Sequence, residues 1–286
     1  MSGALADALA RALTAGRPAA LVTLAEARGS TPREAGAAML VTADGVLGTI
    51  GGGTCEWEAV AAARALLAGG RAEASLRRAL GPETGQCCGG SVRLEIRRAD
   101  AATLAALERA EARARAARPL VVVYGAGHVG RALAGALAPL PFRTRIVDAR
   151  QEEIARLGLP GVERIVGDPV AAAEAAPPAA AHVVMTHAHA LDAQLCASLL
   201  ERGDFAYLGL IGSATKRATF LRAFRDLGLP EAQVARLVCP IGGGRVRDKR
   251  PAVIAALVAA ELVTCLLGPG ALPPARDRAR VHTVAG

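Results

Sequence analysis

The stretch that most constrains this chain runs from Val121 to Ala134, VVVYGAGHVGRALA. The apolar run Val121-Val122-Val123-Tyr124 reads as a strand buried on both faces of a parallel sheet. Gly125, Gly127 and Gly130 follow as G-x-G-x-x-G, and an Ala- and Leu-rich segment then predicts a helix. Asp148 lies 18 residues beyond Gly130, at the end of a second apolar run, Arg145-Ile146-Val147. Strand, glycine turn, helix, strand and acid in this order predict a Rossmann-type unit. In such a turn the first glycine permits the bend, the second lets a phosphate approach the backbone, and the third lets helix close on strand. The first helical N–H groups then face an anion, and Asp148 stands where it would accept a hydrogen bond from a ribose or other ligand hydroxyl. The scaffold alone leaves the ligand open, NAD(P) or another phosphorylated compound.

At 286 residues the chain is long enough for two domains. Aromatic residues make up only 2%, so a core drawn from the 52% hydrophobic fraction must be built of Ala, Leu and Val. The net charge of +8 is scattered, with no Lys/Arg block interleaved with aromatics, which argues against nucleic acid and suits an anionic ligand. No stretch reads as a signal peptide or as a membrane span, and six irregularly spaced cysteines do not form a secreted disulfide pattern. The expectation is a cytoplasmic protein with reduced thiols and no membrane contact.

The first part, residues 1–98, predicts an α+β domain. A helix over residues 2–16 precedes strands over 20–27, 36–42 and 46–50. Gly51, Gly52 and Gly53 then open a helix, as an anion cradle or as a tight strand-to-helix connection. Strands over 72–80 and 91–97 flank a glycine-rich loop that carries Cys87 and Cys88. A structural cysteine sits inside an apolar pattern, and this pair does not. Thiolates there would suit a soft metal or a metal–oxo or metal–sulfido centre.

Four strings carry a resemblance to a known family. They are GSTPR at 29–33, GAAMLV at 36–41, GTIGGGTCE at 48–56 and GQCCGG at 85–90. In this order they resemble the XdhC family, accessory proteins of xanthine dehydrogenase, and the resemblance continues through the second half. It implies a chaperone that binds molybdenum cofactor (molybdopterin) and supports its sulfuration with a cysteine desulfurase. It also implies exchange with molybdenum cofactor biosynthesis proteins, insertion into apo-xanthine dehydrogenase, no turnover of its own, and a homodimer. Cys87 and Cys88 would then lie near the molybdenum. One departure is clear. Where the family has P-x-E-I, this chain has Pro251-Ala252-Val253-Ile254, without the acid.

Residues 99–118 predict a solvated connecting helix, 119–268 the doubly wound parallel domain, and 269–286 a mobile tail. In the second domain, the strand ending at Met185 leads into Thr186-His187-Ala188-His189, with Asp192 following. His187, His189 and Asp192 fit ligand contact, proton transfer, part of a metal site, or plain loop structure with Asp192 as a helix N-cap. Gly212, Ser213 and Lys216 form another glycine–hydroxyl–cation turn suited to phosphate. The phosphate cradle is therefore open among residues 51–53, the turn at Gly125, Gly127 and Gly130, and the turn at Gly212 and Ser213. Two other functions fit the same residues. One is an NAD(P)-dependent oxidoreductase with His187 or His189 as proton donor and Lys216 as substrate anchor. The other is a nucleotide-binding sensor of redox state through Cys87 and Cys88.

Overall fold

The computed structural model describes residues 4–80, 89–243, 246 and 248–269, so Cys87 and Cys88 lie outside the described residues. The chain forms two compact units, Met1–Ala114 and Arg115–Gly286.

The first unit begins with α1 (Ala4–Thr14), β1 (Ala19–Arg28), β2 (Ala38–Thr42), β3 (Val46–Gly48) and α2 (Gly53–Gly69). It continues with β4 (Glu73–Ala79), β5 (Ser91–Arg98) and α3 (Ala101–Ala116). The strands form one antiparallel sheet in the order β3-β2-β1-β5-β4. Alternation decides which face is covered: Ala20, Val22 and Leu24 of β1 and Val92, Leu94 and Ile96 of β5 point to one side. There they meet Cys55, Ala59, Ala63 and Leu66, a stripe at helical spacing on α2. On the other side α1 contributes Leu9 and Ala12, and Leu104 and Leu107 of α3 pack against the same cluster. The remaining length of α3 buries nothing.

The second unit is an α/β sandwich whose first half is β6 (Leu120–Tyr124), α4 (His128–Leu137), β7 (Arg143–Asp148), α5 (Gln151–Ala155), β8 (Val162–Val166) and α6 (Pro169–Glu174). The second half is β9 (Ala181–Val184), α7 (His189–Arg202), β10 (Tyr207–Leu210), α8 (Ala214–Asp226), α9 (Glu231–Val234), β11 (Leu237–Val238) and α10 (Pro251–Leu267). All six strands are parallel, in the order β11-β10-β9-β6-β7-β8. That is the doubly wound Rossmann order, with its switch point between β6 and β9. Helices α4, α5 and α10 cover one face and α6 to α9 the other. The expected fold, an antiparallel α+β unit and a parallel Rossmann-like unit in one chain, is the one observed. Helix α6 falls in a segment of weak apolar periodicity, and its signal is local: Asp168 accepts from the Val170 N–H, and Pro169 opens the helix.

The β6–α4 turn is closed by missing side chains. A Cβ on Gly130 would stand 1.9 Å from the Gly125 carbonyl oxygen, and one on Gly125, at φ 112°, would stand 2.4 Å from the Met185 oxygen. A Cβ on Gly127 would meet nothing within 4 Å. Gly130→Ala is therefore expected to cost about 1–3 kcal/mol, as overpacking does, while Gly127→Ala stays within about 0.5 kcal/mol. Denaturant midpoints followed by circular dichroism test this, and equal midpoints for the two variants would refute it.

Candidate functional site

In the second unit the sequence-predicted residues collect at the carboxyl edge of the sheet. The loops after β6 and β9, on either side of the switch point, carry Gly125, Gly127 and Gly130 and His187. Gly127 precedes α4 without a side-chain cap on that helix end. His128, His187 and His189 are all solvent-exposed. Among the described residues no group of three His, Cys, Asp or Glu side chains is gathered to hold a metal ion.

Asp148 ends β7 beside this turn, but its carboxylate faces the protein. Its Oδ1 accepts from the Arg150 N–H at 3.0 Å and from Arg150 Nε at 2.9 Å. Its Oδ2 accepts from the Ala126 N–H at 2.8 Å and from Arg150 Nη2 at 2.7 Å. Burial alone would raise the Asp148 pKa, yet the Arg150 guanidinium and the two amides hold it at about 2. Arg131, in the first turn of α4, donates to the Ala126 carbonyl oxygen and pairs with Glu153. The glycine turn is thus pinned by Asp148 through its N–H and by Arg131 through its carbonyl oxygen.

The loop after β9 has its own internal tie. Helix α7 starts at His189, so Asp192 sits inside its first turn and not at the cap. Asp192 is buried, and its Oδ1 accepts from the Thr186 N–H at 3.0 Å and the Thr186 hydroxyl at 2.7 Å. Its Oδ2 accepts from Lys216 Nζ at 2.6 Å, and Lys216 also donates to the Ile211 carbonyl oxygen at 3.0 Å. Lys216 therefore neutralises a buried carboxylate and joins the β9 and β10 loops. Ser213 caps α8 by accepting from the Lys216 N–H, and the space over Gly212 is filled by the Lys216 stem and Cys239 Sγ. Deeper in the sheet Tyr124 Oη and His182 Nδ1 lie 2.9 Å apart with stacked rings, both buried. Burial lowers the His182 pKa to about 3, so the ring is neutral.

In the first unit three of the sequence strings meet at one end of the sheet. A Cβ on Gly90 would stand 2.4 Å from the Ser30 carbonyl oxygen, and one on Gly51 would stand 2.9 Å from Pro32 Cβ. Segment 29–33 is thereby in contact both with Gly51 and with Gly89–Gly90. Glu56 fills the glycine turn: its Oε2 accepts from the Thr49 hydroxyl at 2.5 Å and from the Ile50 and Gly52 N–H groups at 2.9 and 3.1 Å. Burial raises the Glu56 pKa and these bonds lower it, with a net shift downward. One residue further along α2, Trp57 is 80% exposed. Its exposure carried no sequence signal, because a lone Trp in an Ala-rich helix reads as core.

Comparison with known proteins agrees with these two units. Residues 12–78 match the XdhC and CoxI family, and residues 121–262 match the XdhC Rossmann domain. The chain belongs to the XdhC family. The uncharacterized protein YqeB of Escherichia coli K12 is 32% identical over 256 residues, covering 86% of this chain. This chain spans only 43% of the length of that relative. A solved structure described as a xanthine dehydrogenase from Bacillus halodurans superposes with a TM-score of 0.73, covering 92% of this chain and 95% of that one. At 18% identity it shares the fold. No helix among the described residues of this XdhC-family chain is long and apolar enough to cross a membrane.

The Asp148 cluster has a pH consequence. Its folded pKa of about 2 lies below the unfolded value of about 3.9. The stabilisation is therefore full above about pH 4 and lost as pH falls through about 2. Wild type is expected to exceed Asp148→Asn in stability by about 2 kcal/mol near neutrality, and the gap should shrink between pH 4 and 2. Denaturant titrations across that range measure it, and a gap independent of pH would be the contrary result.

Proposed function

We propose that this XdhC-family chain is a carrier for molybdenum cofactor, which it binds, protects and passes on for insertion into apo-xanthine dehydrogenase. In this reading a cysteine desulfurase is the partner in sulfuration, molybdenum cofactor biosynthesis proteins are the source, the carrier acts in the cytoplasm as a homodimer, and it turns over no substrate itself. When bound, the cofactor supplies a dithiolene-held molybdenum whose oxo ligand is exchangeable for sulfido. The observation that carries the reading is the packing of segment 29–33 against both Gly51 and Gly89–Gly90 at one end of the first sheet. Gly89 and Gly90 directly follow Cys87 and Cys88 in the sequence and precede β5.

The residues present fit such a group in kind. Molybdopterin ends in a phosphate. Within the second unit, of the two glycine turns that sequence points to, the one at Gly127 has a face that an added Cβ would not crowd. The turn at Gly212 is filled by Lys216 and Cys239, and the Ile50 and Gly52 amides already serve Glu56. Of these three turns, the one at Gly127 therefore keeps a face free for an anion. Cys87 or Cys88 is proposed for the metal end, with thiolate character suited to a soft or sulfido-bearing centre. His187 is proposed as a ligand contact at the switch point, where it is exposed. The alternative of an NAD(P)-dependent oxidoreductase draws on the same Rossmann order, but the committed Asp148 carboxylate speaks against an ordinary ribose contact.

The test uses protein expressed in a molybdenum-replete host and purified without oxygen. Molybdenum and oxidised pterin per chain are measured in wild type, Cys87→Ala and Cys88→Ala. The expected outcome is near-stoichiometric cofactor in wild type and a loss of several-fold in at least one cysteine variant. Absence of cofactor from every sample, even after free cofactor is supplied, would sink the carrier reading.

A further inference from the structure

The second strand of a Rossmann half ends in an acid when the ligand presents a ribose diol, because the diol needs an acceptor. This chain has the acid and withdraws it. The Asp148 side chain is only 4% exposed. Its two oxygens accept four hydrogen bonds, three from Arg150 and one from Ala126. A carboxylate offers about four acceptor positions, so none is left for a hydroxyl. Insertion of a diol would have to expel either the guanidinium or the amide that fixes the glycine turn.

Beyond Asp148, the Arg150 side chain does reach solvent, at 34% exposed. Its Nε–H and one N–H of Nη2 are spent on Asp148, in a fork geometry that orients the guanidinium plane. Two further acids act on Arg150: Glu153 is paired with Arg131 and Arg156, and Glu152 is exposed to solvent. Arg150 and the Ala126 N–H bind the same oxygen, Asp148 Oδ2. The guanidinium edge is therefore next to the turn whose following residue, Gly127, has open space above it. A cation stands where the diol acceptor would be, and an oriented guanidinium is suited to phosphate oxygens.

We propose that the ligand site at the β6–β7 edge is closed to a ribose diol and takes a phosphate monoester at Arg150. Arg150 is then the residue that sets specificity, and Asp148 positions it. The proposal rests on the geometry of this unit and holds whether or not molybdopterin is the ligand. It separates ligands that carry a monoester at this point from those that carry free ribose hydroxyls.

NADPH and NADH form a matched pair for the test, since they differ by one phosphate on one ribose. They are titrated by nicotinamide fluorescence into the full chain, prepared from a molybdenum-free host so that the result is independent of the cofactor test. NADPH is expected to bind at least about tenfold more tightly than NADH, one charge-assisted contact being enough for that ratio. Arg150→Ala should weaken NADPH by about tenfold and should not weaken NADH, because it frees the two Asp148 acceptor positions that the guanidinium fills, and Arg150→Lys should fall between. Equal affinities, tighter NADH, or no binding of either at millimolar concentration would each overturn the proposal. So would an unchanged NADPH preference in a folded Arg150→Ala. The wild-type comparison decides even if both variants fail to fold.

Discussion

The carbonyl oxygen of Gly125 occupies the place where a side chain on Gly130 would stand. This contact brings α4 down onto β6, and much of the second unit's carboxyl edge is arranged from it. With the helix close, the Ala126 N–H lies within reach of Asp148 across the β6–β7 gap, and Arg131 reaches back to the Ala126 carbonyl oxygen. Met185 crosses on the other side, against Gly125, at the switch point. A turn held by two charged side chains and by two backbone approaches does not need a ligand to keep its shape. It is preorganised, which lowers the ordering cost of binding.

Both units treat their glycine turns in the same way. Glu56 lies under the amides of Ile50 and Gly52, and Asp148 lies under the amide of Ala126. Each carboxylate is an internal anion at a place where a sequence reading expects an external one. The difference is in what remains. At Gly127 the backbone face stays open. In the first unit the same kind of turn is tied down by Glu56 beside the 29–33 segment.

The Rossmann unit was legible because its signals are local. A buried strand, three glycines at fixed spacing and a helix all lie within residues 121–134, and the parallel order follows from strand–helix alternation. The antiparallel unit was legible strand by strand, but not in its pairing of β1 with β5, which brings residues about seventy apart into register. The site was less legible for a related reason. Asp148 was readable as an acid at a strand end, but its occupation by Arg150 depends on a side-chain rotamer. The Asp192–Lys216 pair spans 24 residues and two loops, and no periodicity connects them. Spacing suggested Asp192 as a helix cap, whereas α7 begins three residues earlier and buries it. The exposure of Trp57 depends on which face of α2 meets the sheet, and that is settled by Cys55, Ala59, Ala63 and Leu66.

That Trp57 is the only tryptophan of the chain gives the two units separate optical signatures. Its indole, already in water in the folded state, belongs to the first unit. The two tyrosines, Tyr124 and Tyr207, are both buried in the second, each engaged by a side-chain partner, His182 or Glu261. Excitation selective for indole therefore reports on the first unit alone, and a change in its emission on adding a partner or ligand localises the event there. Tyrosine absorbance in the near ultraviolet reports on packing around the parallel sheet. One unlabelled sample thus carries two independent probes, one for each half of the chain.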